Sequence, residues 1–245
     1  SEKNPLIRTF YLKDFLPFFM VFVNAKVFVM THTELQRHHL RRSINDVHYV
    51  YVFHALMSTH MVYKEGAFDH YDTIFCTGSY QIKEIRAREN MLGLKKKNLL
   101  ETGYWRLERI YQRWVEYGAR TSRHLGKGTV LIAPSWGEDN ILKVCGEALI
   151  QKLLNFGFEV IVRPHPEILR RTPEVVEKLS LQFSKDARFR LERSVAGDES
   201  LFAADILITD TSGIALEYAF GTERPVLYID VPPKIKNPNY KKLAL

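Results

Sequence analysis

The sequence predicts an α/β protein built on parallel sheets, and three observations carry that prediction. From residue 129 onward, apolar runs of strand length alternate with segments of helix length in a regular βα rhythm. The runs themselves, Ile206-Leu207-Ile208 for one, are apolar at every residue, as expected of a sheet covered on both faces. Hydrophobic residues make up 46% of the 245, enough for a sizeable core, and no internal repeat or low-complexity tract interrupts them.

Taken in chain order, "FLPFFMVFV" (15–23) reads as a core helix entering a strand, with a membrane-interface segment as the alternative, since Arg8 and Lys13 precede it. Strands are expected at Lys26–Thr31, His48–Phe53 and Thr73–Thr77, and helices from Tyr80 to about Leu92 and from Trp105 to about Tyr117. The basic, glycine-containing stretch 117–128 lacks apolar period and reads as a linker. Beyond it come a strand in "GTVLIAPSW", a helix over Asn140–Phe156, and a strand and loop in "FEVIVRPHP". A helix over Thr172–Phe183, a strand in "ARFRLER" and a short helix over Glu199–Ala204 follow. The series ends with a strand in "DILITD", a helix over Ser212–Phe220 and a strand in "PVLYID". This predicts two domains, 1–120 and 121–245.

Charge narrows the function. A net charge of +7 and a pI of about 9.3 favour an anionic partner: a phosphorylated substrate, an anionic membrane surface or nucleic acid. Nucleic acid fits least, because lysines and arginines are scattered and no basic stripe interleaved with aromatics occurs. Cys76 and Cys145 both lie among apolar residues and read as buried free thiols, which suits a reducing, cytosolic setting. No secretory signal is visible, and no run reaches the 18 or so apolar residues of a membrane span.

In a parallel α/β sheet, sites form beyond the carboxyl ends of the strands. That rule gathers Pro134-Ser135-Trp136, Arg163-Pro164-His165-Pro166 and Asp210-Thr211-Ser212-Gly213 on one rim. Arg163 can fork onto phosphate oxygens. His165 can donate to a phosphate or protonate a leaving group. The helix start at Ser212 offers unpaired backbone N–H groups to an anion, and Glu217 stands inside the first turns of that helix, where a carboxylate can receive hydroxyls. The plain alternatives are a Pro-rich structural turn and an ordinary acidic residue favoured by the helix dipole.

In the first half, His54 ends an apolar strand and as a neutral imidazole can take a proton from a hydroxyl; the alternative is a packed histidine. His60 and Lys64 are weaker candidates in the same loop. "QRHHLRR" (36–42), with Arg37, Arg41 and Arg42, reads as a docking patch for anionic lipid or a polyphosphate acceptor, or as a solvated helix face. P-loop, Gly-x-Gly-x-x-Gly, zinc spacing, Gly-x-Ser-x-Gly elbow and Asp-x-Asp pair are all missing from the sequence. No metal and no cofactor are therefore expected, and phosphate handling falls to Arg, His and the helix start.

As a set, "VLIAPSW", "VIVRPHP" and "DILITDTSGIALEYAFGTERPVLYID" resemble the CDP-glycerol glycerophosphotransferase family of teichoic-acid polymerases and primases. The match runs over most of 129–230 and extends more loosely to "VFHA" (52–55) and "ETGYWRLE" (101–108). The resemblance implies a GT-B fold: two Rossmann-like domains with parallel sheets facing across a cleft, the first on the acceptor side and the second binding a nucleotide donor. It implies His54 as the base, with Arg163 and His165 on the pyrophosphate. Asp210, Thr211, Ser212 and Gly213 would form the phosphate loop, and Glu217 would hold a sugar or glycerol hydroxyl.

The implied reaction moves glycerol phosphate, or a related polyol phosphate, from a CDP-activated donor to a hydroxyl of a lipid-linked or polymer acceptor and releases CMP. The implied location is cytoplasmic, peripheral on the inner face of the cell membrane. Ser212-Gly213 stands where the family usually has two serines, Glu217 where it often has Asp, and Ala55 where it has Gly. That version also resembles the nucleotide site of UDP-sugar GT-B enzymes, including UDP-N-acetylglucosamine 2-epimerases, so a CDP and a UDP donor both stay open. A complete first domain should begin with a further βα unit or two. The chain opens on Ser1 rather than Met, so its first domain is expected to be N-terminally truncated.

Overall fold

The computed structural model describes residues 6–37, 40–118, 127–232 and 235–243. The chain forms two compact units, one of Ser1–Gly103 with Ile235–Leu245 and one of Tyr104–Lys234. The division near residue 120 suggested by the sequence gives way to one at Gly103, and most of the expected linker, 119–126, lies outside the described residues.

The first unit holds α1 (Leu16–Phe22), β1 (Val27–Met30), β2 (His48–Val52), β3 (Thr73–Cys76), α2 (Ser79–Leu92) and β4 (Asn98–Glu101). Its strands run parallel in the order β1-β2-β3-β4. The core is aromatic. Tyr51 sits edge-on to Phe53, Phe68 and Tyr71, with ring centroids 4.8–5.2 Å apart. Helix α2 turns polar groups inward, burying Gln81, Glu84 and Glu89, and ends at Gly93 in the left-handed region (φ 61°), where glycine is favoured. Residues from Ile235 onward return to this unit. Asn237 Nδ2 donates to the His60 carbonyl (2.8 Å) and Asn239 Nδ2 to Glu65 (2.7 Å).

Helix α1 corrects the core-helix reading of 15–23. Met20 and Val23 are buried, but Phe15 (74% exposed), Phe18 (68%) and Phe22 (52%) face outward. Cys76 is a buried free thiol, as expected, and burial pushes its pKa up to about 12; Cys145 is free and half-buried.

The second unit opens with α3 (Trp105–Gly118), followed by β5 (Thr129–Ile132), α4 (Ile141–Val144), α5 (Gly146–Asn155) and β6 (Glu159–Val162). Then come α6 (Pro166–Arg171), α7 (Pro173–Phe183), β7 (Phe189–Leu191), α8 (Glu199–Ala203), β8 (Ile206–Thr209), α9 (Ile214–Thr222) and β9 (Val226–Tyr228). The sheet is parallel, in the order β7-β6-β5-β8-β9. One buried cluster around Val130, Ile132, Val160 and Val162 and another around Leu131, Ile161, Leu207 and Tyr218 cover its two faces. Ile110 of α3 is buried in the second cluster, which ties α3 to this unit. The single helix expected over 140–156 is broken at Cys145 (φ −146°), and Asn140 caps its first part by accepting from Leu142 N–H and Lys143 N–H. Helix α6 occupies the expected loop after β6, with Pro166 in its first turn, where a missing N–H costs nothing.

Candidate active site

The strand order fixes where a ligand belongs. From β5 the chain builds outward through β6 and β7, then crosses to β8 and β9 on the other side. In such a sheet the crevice lies beyond the carboxyl ends of the two strands flanking the reversal, here β5 and β8. The loops after these strands are Ala133–Asn140 and Asp210–Gly213, and Arg163–His165 follows the neighbouring β6. The structure thus brings together on one rim the three segments singled out from the sequence.

Their side chains divide into those that brace the rim and those that remain at it. Asp210 is a brace. Its buried carboxylate accepts from Ser135 N–H (2.6 Å) and Ile141 N–H (3.3 Å), lacing the β8 loop to the β5 loop. Thr209 Oγ1 adds a bond to the Ala133 carbonyl (2.6 Å). Pro134 is buried beside them, Ser135 is half-buried, Thr211 is exposed, and Ser212 and Gly213 are half-buried at the entrance to α9. Gly213 is the N-cap of α9; Ala215 N–H bonds back to the Ser212 carbonyl (3.2 Å) and Glu217 N–H to the Gly213 carbonyl (3.3 Å), while a helix start characteristically leaves other first-turn amides for an outside acceptor.

Arg163 departs from the role read from the sequence. It is 4% exposed, and its guanidinium turns away into the loop before α8. Nη1 donates to Ser200 Oγ (3.0 Å), and Nη2 to the carbonyls of Val195 (2.9 Å) and Gly197 (2.9 Å). Burial lowers its pKa, while Glu192 and Asp198 nearby support its charge. Arg163 is therefore a clamp on the loop before α8 and on that helix's first turn, together the 193–200 segment.

His165 caps α6. Its Nδ1 accepts from Glu167 N–H (3.1 Å), so a neutral ring carries its proton on Nε2. That leaves the ring a donor, the property wanted against a phosphate oxygen. Its ring centroid lies 6.3 Å from that of Trp136, over which the Arg171 guanidinium sits at 5.2 Å.

Glu217 is buried and already accepts two protein bonds: Tyr104 Oη to Oε1 (2.8 Å) and Arg106 Nε to Oε2 (2.9 Å). Arg106 Nη2 stands 3.5 Å from Asp198 Oδ1, and Arg113 pairs with Asp198 Oδ2. Tyr104, Arg106 and Asp198 went unnoticed in the sequence. They come from distant segments, and only the resemblance of "ETGYWRLE" drew attention near the first two.

In the first unit His54 is exposed at the carboxyl end of β2, and partial burial lowers its imidazole pKa below the ordinary 6.5. His60 is more enclosed, with Nδ1 3.2 Å from Glu84 Oε1 and 2.9 Å from Ser58 Oγ. Lys64 pairs with Glu34 (3.1 Å). The basic stretch 36–42 is not a helix face: Arg37 bridges to Leu40, and 38–39 lie outside the described residues. Arg37 and Arg41 are exposed, but Arg42 is turned inward onto the His70 carbonyl (2.6 Å), the Val47 carbonyl (3.1 Å) and Asp72 (2.9 Å), over the Tyr49 ring. Among the described residues no cluster of His, Cys, Asp and Glu could hold a metal ion, and no helix is long and apolar enough to cross a membrane.

A sequence model of the family described as CDP-glycerol:poly(glycerophosphate) glycerophosphotransferase matches residues 10–231, nearly the whole chain. The chain belongs to this family. No curated protein matches this glycerophosphotransferase-family chain at a significant level. Among solved structures, it resembles the UDP-GlcNAc 2-epimerase of Methanocaldococcus jannaschii in complex with UDP-GlcNAc and UDP, at 14% identity and a TM-score of 0.51, over 74% of this chain and 53% of that one. A Listeria monocytogenes structure assigned as a UDP-N-acetylglucosamine 2-epimerase aligns at 18% identity and a TM-score of 0.50, over 77% of this chain and 52% of that one. These likenesses give the chain a GT-B-like α/β fold, and the chain spans about half the length of the structures it matches.

Proposed function

We propose that this chain works on a nucleotide-activated polyol phosphate. The second unit binds a CDP-linked donor, and the first serves the acceptor. The carrying observation is the reversal of strand order between β5 and β8, with the start of α9 and His165 on the same rim, in a chain of the glycerophosphotransferase family. An acceptor hydroxyl gives its proton to His54, whose lowered pKa favours the neutral ring that can accept it. The hydroxyl oxygen attacks the glycerol-bearing phosphorus, the bond from that phosphorus to the CMP oxygen breaks, and CMP leaves. The amides at the start of α9 and the Nε2–H of His165 stabilise the charge on the departing phosphate. The product is a phosphodiester in a surface polymer. The exposed Phe15, just before α1, and Phe18 and Phe22 on it support peripheral contact with a membrane carrying a lipid-linked acceptor.

Thermal shift with CDP-glycerol, CDP, UDP and UDP-N-acetylglucosamine tests the donor. A ligand at 100 times its Kd stabilises the fold by about 2.7 kcal/mol. CDP-glycerol and CDP should raise the melting temperature. A response to UDP compounds alone would favour a GT-B glycosyltransferase or 2-epimerase-like enzyme, the reading supported by the fold of the structural relatives. Binding to anionic vesicles with no nucleotide response would favour a non-enzymatic membrane module. For the base, His54→Ala should lower turnover by roughly 10²–10⁴ while leaving donor affinity unchanged; near-normal turnover would remove His54 from the chemistry.

A further inference from the structure

With Arg163 committed to the 193–200 segment, the rim lacks the guanidinium that the sequence placed there. Another stands beside α9. Arg106, one residue into α3, is anchored by Nε on Glu217 Oε2 at 2.9 Å, and Glu217 lies in the first turn of α9. The other edge of its guanidinium makes no hydrogen bond among the described residues and is held only by a longer ion pair with Asp198. Nη2 approaches Asp198 Oδ1 only to 3.5 Å, and that oxygen, though buried, has no hydrogen-bond partner among the described residues. Asp198 draws its own compensation from Arg113. Turning the Nη edge of Arg106 from Asp198 to a phosphate exchanges that ion pair for another and breaks no hydrogen bond.

The electrostatics agree with the geometry. Burial opposes the charge on Arg106, but Glu217 and Asp198 outweigh it and raise its pKa above the ordinary value. Its side chain keeps 29% of its surface open. Other guanidiniums around the rim are less suited. Arg170 and Arg171 both lie on Glu167, more than half exposed, where water screens them. Arg224 stands at the far end of α9 from the rim, on the carbonyls of Phe202 and Ala204.

We propose that Arg106 is the phosphate-binding guanidinium of this unit: held by Glu217 at Nε, it offers its two Nη groups as a fork to a phosphate of a nucleoside diphosphate at the start of α9. This rests on the second unit being the nucleotide-binding one. Arg163 then acts on the site only by shaping the loop that carries Asp198.

Calorimetric titration of the full chain with CDP, UDP and the nucleosides cytidine and uridine tests the assignment, using wild type, Arg106→Gln, Arg106→Lys and Arg163→Gln. Glutamine at 106 can still donate to Glu217, so its fold should hold. R106Q should bind the diphosphate roughly 10- to 150-fold more weakly, the worth of hydrogen bonds to a charged group, and bind the nucleoside as wild type does. R163Q should melt earlier with an unchanged ratio of diphosphate to nucleoside affinity. If R106Q retains the wild-type ratio, the proposal is overturned. If R106Q does not fold, R106K decides: it keeps the charge and loses the fork, and an unchanged ratio again overturns the proposal. A wild-type chain that binds neither nucleoside diphosphate overturns the functional reading itself, an outcome distinct from a wild type that binds and an R106Q that binds equally well.

Discussion

The two units place charge and apolar surface differently. In the second, the sheet order doubles back at β5, apolar clusters cover both faces, and polar side chains gather at one rim. In the first, the described strands run β1-β2-β3-β4 without reversal, and the ion pairs are dispersed: Asp72 with Arg42, Asp69 with Arg88, Glu89 with Lys97. Its apolar side chains also remain partly uncovered, on α1 and at Val27 and Val29 of β1. A reversal in strand order creates a crevice whatever the loop sequences are, so a ligand site can be read from topology in one unit and not in the other.

The largest test of this contrast is excision. The second unit should fold alone as 104–234 and unfold cooperatively. A piece beginning at 121, the boundary the sequence suggests, removes α3 and with it the fully buried Ile110. Loss of one such side chain costs about 2–5 kcal/mol, and here a whole helix face is lost. Circular dichroism melts should show a cooperative transition for the first fragment and none for the second. Equal stability would show that α3 is an appendage.

Next comes Arg163→Ala. It strips partners from Ser200 Oγ and two carbonyls at a buried site, so the unit should lose roughly 2–4 kcal/mol. Urea denaturation measures this directly. A change under half a kcal/mol would mean that the 193–200 segment does not depend on the clamp.

These first two tests also mark what the sequence could and could not reveal. The βα rhythm from 129 to 230 was legible because each strand is a short apolar run bounded by turn residues, and the three rim loops followed from it. Strand β4, within "KKKNLLE", carries too few apolar residues to stand out. Helix α6 was hidden in a Pro-rich loop, although Pro at its first position and Arg170 and Arg171 in its last turn are helix signals. The destinations of Arg163 and Glu217 were not legible. Residue type says what a guanidinium can bind, but only the fold supplies Val195, Gly197 and Ser200 to the one and Tyr104 and Arg106 to the other. The outward face of α1 escaped for a related reason: a Phe-rich run looks the same in sequence whether or not something covers it.

A finer test of the α3 attachment is Gly221→Ala. Helix α9 approaches α3 so closely that a Cβ at 221 would stand 2.5 Å from Ile110 Cγ2 and 3.1 Å from its Cβ. The methyl must push the helices apart or twist Ile110, an overpacking cost of typically 1–3 kcal/mol. Because helix propensity alone favours alanine over glycine by up to about 1 kcal/mol, a net loss of stability isolates the steric term. A net gain would mean that α3 sits loosely on α9.

The smallest effect belongs to the first unit and concerns pH. Partial burial holds the His54 imidazole below its ordinary pKa of 6.5. In the unfolded chain the ring regains that ordinary value. As pH falls through 6.5 the unfolded state takes up a proton that the folded state still refuses, so the unfolded state binds more protons and stability declines. The decline ends once pH drops beneath the lowered folded value, where both states are charged. Above about pH 7.5 both are neutral and His54 contributes no slope. Other histidines titrate in the same window, so the informative quantity is the difference between wild type and His54→Asn, which cannot titrate. Melting temperatures taken from pH 7.5 down to 5.5 should fall less steeply for the variant. Parallel curves would mean that His54 is as well solvated in the folded chain as in the unfolded one. It would then lack the lowered pKa that favours the neutral ring, and the case for His54 as the acceptor's base would rest on its place at the end of β2 and on the family resemblance.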